Sequence, residues 1–173
     1  KVRRWQNRRH IDHAIEDTRK GLAEAINGNL TQAEKLLTRS LADSPQAEIN
    51  LLATAWIAQQ KDEHQKRDDY IAQASNLESA TTDTAEMAIG LTQCTLLQQA
   101  GQTEQALATA RMLHEKSPAN PAAIKSLIKL LQETEQWQEL LPVLALANRH
   151  HVRTKYKKTI LKRKWKINKK QNT

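Results

Sequence analysis

The chain of 173 residues carries 27 Lys or Arg against 19 Asp or Glu, with four Trp, two Tyr and no Phe. Abundant Ala, Leu and Gln, with few β-branched runs or turn dipeptides, exclude a sheet and point to helices packed through Leu, Ala and Ile. No apolar run of about 18 residues is present, so these residues do not themselves span a membrane as a helix. The lone Cys94 excludes an intramolecular disulfide and reads as a small buried apolar residue.

In chain order, Lys1 to Arg9 (KVRRWQNRR) puts five cations and one Trp ahead of the first periodic helix. Residues 1–10 form a basic leader with three open readings: a solvated end, a juxtamembrane segment on the cytoplasmic flank of a membrane helix, or a nucleic-acid arm. A chain that opens on Lys1 rather than Met is expected to continue a longer one. His10 and His13 stand at i and i+3, a weak ligand pair with no Cys beside them. The first helix is expected over Ile11 to Ile26, stopped by Asn27-Gly28-Asn29. Thr31 and Glu34 have the T-x-x-E spacing of a capping box, which predicts that the second helix opens at Thr31 and ends near Asp43-Ser44-Pro45.

Gln46 to Gln60 reads as the third helix, and Lys61-Asp62 as a turn without glycine. The following helix, Glu63 to Leu77, is rich in charge (HQKRDDY), expected to face outward, and packs through Tyr70, Ile71, Ala74 and Leu77. Glu78 to Thr84 is a loop ending in a helix cap. Two more periodic segments flank Gly101, a residue that takes the left-handed conformation past a helix end without strain, and Ser117-Pro118 closes the second. Pro121 suits a helix start, and Thr134-Glu135-Gln136 is the last turn. Pro142 is expected to kink its helix unless the helix begins near Leu141.

These segments repeat. A 34-residue ruler started at 14 puts Gly21, Gly28, Ala33 and Pro45 on the small, turn, small and proline positions of a tetratricopeptide repeat, and one started at 87 aligns Gly101, Ala106 and Pro118. A unit from 48 is degenerate, with Arg67 on a small-residue position, and a fourth starts at 121. The expected fold class is all-α: a tetratricopeptide-like right-handed superhelix of stacked antiparallel helix pairs over residues 11–150. Charge divides along the same lines. Residues 21–150 hold ten bases and sixteen acids, a net of −6, whereas residues 151–173 hold ten Lys or Arg and no acid. That basic tail, helical or disordered, keeps Val152, Tyr156, Ile160 and Trp165 at rough helical intervals and is read either as the next repeat's first helix or as a segment meeting lipid or nucleic acid.

The first helix of each unit lines the expected groove, with Ile49, Leu52, Trp56 and Gln59, then Leu91, Thr95 and Gln98, then Lys125, Lys129 and Gln132. Trp56 is the candidate anchor, because large aromatics carry much of an interface's energy. No catalytic constellation and no phosphate-cradling glycine loop is present, so the reading is a non-enzymatic protein binder.

The stretch Gly28 to Leu37 (G-x-x-x-x-A-E-K-L-L), the helix INLLATAWIAQQ, the S-P-x-x-P junction at Ser117 to Pro121 and the W-x-x-L-L-P motif at Trp137 to Pro142 together resemble the HemY family of proteobacterial membrane proteins, over roughly residues 10–148. The resemblance implies two transmembrane helices ahead of Lys1, an inner-membrane location with the repeats facing the cytoplasm, and an association with late haem biosynthesis without enzymatic activity of its own. A protoporphyrinogen oxidase shares the family's name, but the chain has no G-x-G-x-x-G flavin fingerprint. The leading expectation is a membrane-tethered scaffold for haem-pathway or envelope proteins. The alternatives are a haem- or porphyrin-handling protein using His10, His13 or His150, and nucleic-acid binding through the basic ends.

Overall fold

Helices alone account for the regular structure of the described residues. The computed structural model describes residues 2–152, apart from the side chains of residues 2–7, Ser79 and Thr81, and the expectations for the tail from residue 153 onward lie outside them. Eight α-helices follow in order: α1 (Val2–Ile26), α2 (Leu30–Ser40), α3 (Ala47–Gln60), α4 (His64–Ser75), α5 (Asp83–Gln99), α6 (Thr103–Lys116), α7 (Pro121–Glu133) and α8 (Trp137–Arg149). A short 3-10 turn at Glu78–Thr81 precedes α5, in the expected insertion.

The repeat is written most clearly in the backbone between paired helices. Gly28, Asp62, Gly101 and Glu135 occupy the same position of the units that start at 14, 48, 87 and 121, and all four are left-handed, with φ of 83°, 57°, 73° and 56°. Each is followed by the same hydrogen bond, from Asn29 to the Glu24 carbonyl, Glu63 to Ala58, Gln102 to Leu97 and Gln136 to Leu131, at 2.9 Å in every case. This is the Schellman closure, which satisfies carbonyls left open at a helix end. Two of the four units reach it without glycine.

The chain forms two compact units, residues 1–109 and 110–173. In the first, α1 packs on α2, α2 on α3, α3 on α4, and α3 and α4 on α5. Small residues set the close approach of α1 and α2: a Cβ on Gly21 would stand 2.8 Å from Leu37 Cγ and 3.3 Å from the Ala33 carbonyl oxygen. Leu51, Ala55, Ile71, Ala74, Ala80, Ile89 and Leu96 form one buried cluster, against which Tyr70 and Leu77 pack as expected. Cys94 is buried, its Sγ 3.5 Å from the Ala106 carbonyl oxygen. A polar tie joins three helices, because the fully buried Asn50 of α3 donates through Nδ2 to Thr18 Oγ1 of α1 at 2.9 Å and to Ser40 Oγ of α2 at 2.7 Å. In the second unit α7 packs on α8, with Ile124, Leu127, Ile128, Leu130, Leu131 and Leu140 almost wholly buried.

Two local expectations are corrected. First, α1 begins at Val2 rather than Ile11, since VRRWQNRRH contains neither Gly nor Pro to stop it. The basic leader is therefore the first turns of α1.

Second, α2 opens at Leu30 behind Asn29, and Thr31 makes no capping box. The Schellman turn at Gly28 leaves no room for a later start. Glu34 is instead taken up by Lys61 Nζ at 2.7 Å and by the Tyr70 hydroxyl, which donates to it at 3.3 Å.

Of the two readings of Pro142, the structure favours a proline inside a helix over a helix that begins near Leu141: α8 starts at Trp137 and runs through Pro142. The ring removes one amide donor from the helix, the one that would otherwise face the Gln138 carbonyl.

Other helix ends match the reading. Thr82 caps α5 by accepting from the Ala85 amide at 3.2 Å, and Asn120 caps α7 by accepting from Ala122 and Ala123 at 2.8 and 3.2 Å, with Pro121 in the first turn.

Candidate protein-binding surface

Helix α3 is apolar on nearly every side, yet part of it is open to solvent. Leu51, Ala55, Ile57 and Ala58 are buried, whereas Ile49 is 45% and Trp56 39% exposed, with Leu52 half-buried between them. These residues recur at i, i+3 and i+7, so they share one face of α3. An apolar helix that leaves an Ile and a Trp in water on one stripe carries desolvation energy that a partner's apolar side chain can release.

Gln59, expected next on this stripe, is turned inward. It is buried, and its Oε1 accepts from Arg67 Nη1 at 2.8 Å. The cause is the residue that makes the second unit irregular. Arg67 is fully buried where the repeat calls for a small side chain, so its guanidinium must find acceptors inside the fold. Gln59 supplies one, Gln102 Oε1 a second at 2.8 Å from Nη2, and Asp68 Oδ1 a third at 2.8 Å from Nε. Not all of the charge on α4 faces outward. Arg67 on a small-residue position, with one glutamine available in its own repeat and another in the next, is the signal by which sequence reasoning finds this network.

On α5 of the same unit, Leu91 and Gln98 are half-buried and Thr95 is exposed, its hydroxyl donating to the Leu91 carbonyl at 2.8 Å. Helix α3 packs on α5 within the first unit. In the second unit, Lys125 and Lys129 are exposed one turn apart on α7 and Gln132 is half-buried.

The second unit also holds a feature that sequence reasoning missed, an open cavity of about 530 Å³ between α6, α7 and α8, lined by His114, Leu127, Pro142, Val143, Leu146 and Arg149. Its rim is fixed by Arg111, which grips Glu139 with both ends of the guanidinium, at 2.9 Å from Nε and 2.6 Å from Nη2. This arginine holds the Glu139 carboxyl below the ordinary range. Most of the lining comes from α6 and α8, the second helices of their pairs, with Leu127 contributed by α7.

His10 and His13 are exposed on α1, with His10 Nδ1 3.9 Å from Asp43 Oδ2, and His150 is exposed just after α8 in the other unit. Among the described residues no group of three or more His, Cys, Asp or Glu is placed to hold a metal ion. Among them, too, no helix is long and apolar enough to cross a membrane.

Residues 1–62 match the model of the HemY protein N-terminus. The resemblance drawn from the motifs is therefore matched over the first 62 residues, which include the Gly28–Leu37 stretch and all of α3. No curated protein matches the chain. Among solved structures, MamA MSR-1 is 14% identical with a TM-score of 0.57, covering 87% of this chain and 98% of that one. MamA AMB-1 is 15% identical with a TM-score of 0.56, covering 86% and 91%. At such identities the likeness is one of fold. MamA is a helical-repeat protein of the tetratricopeptide type, and the present chain shares that all-α repeat architecture.

Proposed function

We propose that the chain is a non-catalytic scaffold that binds a protein partner through the open face of its first helices, with Ile49, Leu52 and Trp56 of α3 as the apolar anchor site. Leu91, Thr95 and Gln98 extend that face in the first unit. Lys125, Lys129 and Gln132 offer the equivalent positions of the second unit to the polar and acidic parts of a ligand. The observation that carries this reading is Trp56, 39% exposed on a helix whose remaining faces are core. Helical repeats bind extended peptides or helices on such faces. The HemY match over residues 1–62 supports an association with haem biosynthesis and a tether to the bacterial inner membrane, with the repeats facing the cytoplasm.

The test is recovery of partners from crosslinked membranes with the full-length protein. Trp56→Ala is expected to lower recovery of a specific partner at least about tenfold while leaving the helical circular dichroism signal intact. Unchanged recovery assigns Trp56 to packing alone.

A further inference from the structure

Helix α1 carries a second apolar stripe that none of its neighbours covers. Ile11 is 40% exposed, Ile15 50%, Leu22 37% and Ile26 87%. At about 100° per residue these four positions fall within an arc of about 60°, while α2 takes the adjacent face through the buried Ala14 and Gly21. Their separations of four, seven and four residues read identically in either direction, which makes the stripe self-complementary about a point between Thr18 and Arg19.

We propose that two copies of the chain pair antiparallel through α1, with Ile11 against Ile26 of the partner subunit and Ile15 against Leu22 of the partner subunit. A two-fold axis through the midpoint generates both contacts at once, as an isologous interface requires.

The charges beside the stripe fit the same axis. Arg19 is 77% exposed and reaches back to Glu16 at 2.8 Å within the chain. With a rise of about 1.5 Å per residue, the axis sets Glu16 about 3 Å along the helix from Arg19 of the partner subunit. The two arginines at the centre are thus flanked by two glutamates. The self-complementary spacing of the stripe and the Glu16–Arg19 placement about the same axis specify a second copy as the occupant. Four side chains over about 22 Å of helix give less than the roughly 800 Å² per partner of a standard interface, so the dimer is weak.

Sedimentation of the full chain from about 10 µM to about 1 mM is expected to show a reversible monomer–dimer equilibrium. Ile15→Glu is expected to weaken it at least about tenfold with unchanged circular dichroism, because the side chain is open to solvent in the monomer. Orientation is read by oxidation, with Cys94 buried and silent. An equal mixture of Ile11→Cys and Ile26→Cys chains is expected to form the mixed disulfide-linked dimer. Ile11→Cys alone does so at least about tenfold less, its two sulfurs lying about 22 Å apart. A monomer at every concentration, equal linking by Ile11→Cys alone, or an Ile15→Glu chain that still dimerises would overturn the proposal. So would a chain monomeric in solution whose Ile15-dependent binding is to vesicles containing phosphatidylserine.

Discussion

Arg67 donates from Nη1 to Gln59 Oε1 at 2.8 Å inside a core that excludes both side chains from water. The pair trades a position on the open face of α3 for acceptance of a buried cation. Removing the arginine leaves Gln59 and Gln102 without their donor and opens a void. Arg67→Ala is expected to destabilise the protein by about 3 kcal/mol in denaturant titrations. Arg67→Lys is expected to recover only part, since an ammonium cannot reproduce the planar fork that meets three acceptors.

The left-handed turns give a prediction of opposite signs. Glu135 holds φ 56° with an exposed side chain, and Gly101 holds φ 73°. Glu135→Gly is expected to raise stability by about 0.5–1 kcal/mol and Gly101→Ala to lower it by about 1 kcal/mol. Thermal melts of the two variants check both signs.

Gly21 tests packing against propensity. Alanine favours a helix interior over glycine by about 1 kcal/mol, but here its Cβ would lie 2.8 Å from Leu37 Cγ and 3.3 Å from a backbone oxygen. Overpacking costs about 1–3 kcal/mol. Gly21→Ala is therefore expected to lower the melting midpoint.

Four carboxylates that cationic partners depress, Glu16, Asp17, Glu63 and Glu139, set the acid side of the stability curve, and two of them tie separate helices together. The hydrogen bonds from Arg39 hold Asp17 below its ordinary 3.8, and those from Arg111 hold Glu139 below 4.5. A carboxyl depressed in the folded state contributes stability that is complete above its unfolded pKa and is lost as pH falls through the folded one. Melting midpoints are expected to hold from about pH 7 to about pH 5 and to decline below about pH 4.5. Asp17→Asn is expected to make that decline shallower.

Much of the fold was legible because its punctuation is chemical. Gly28, Gly101, Pro121 and the alternation of Leu with Ala specify where helices stop, start and touch. Asp62 and Glu135 were placed in turns by the repeat spacing, though their residue types give no hint of a left-handed backbone. Legibility failed where tertiary demands override local rules. Thr31 and Glu34 carry the spacing of a cap, but Gly28 had already set the helix start. Gln59 follows the surface stripe, but Arg67 claims it. The cavity beside Arg111 depends on three helices meeting, which no linear pattern displays. Ile49, Leu52 and Trp56 were placed by the repeat ruler rather than by periodicity, since α3 is apolar nearly all round, and Ile49 and Trp56 are exposed there.

The most direct measurement is site-specific photocrosslinking from α3. A photoreactive residue replacing Ile49 in the full chain is expected to capture one discrete partner, and Trp56→Ala in the same chain is expected to abolish that adduct. The same probe replacing the exposed Gln105 of α6 is expected to yield none. Capture from Gln105 but not Ile49, or an Ile49 adduct indifferent to Trp56, would contradict the assignment of the α3 face as the binding surface.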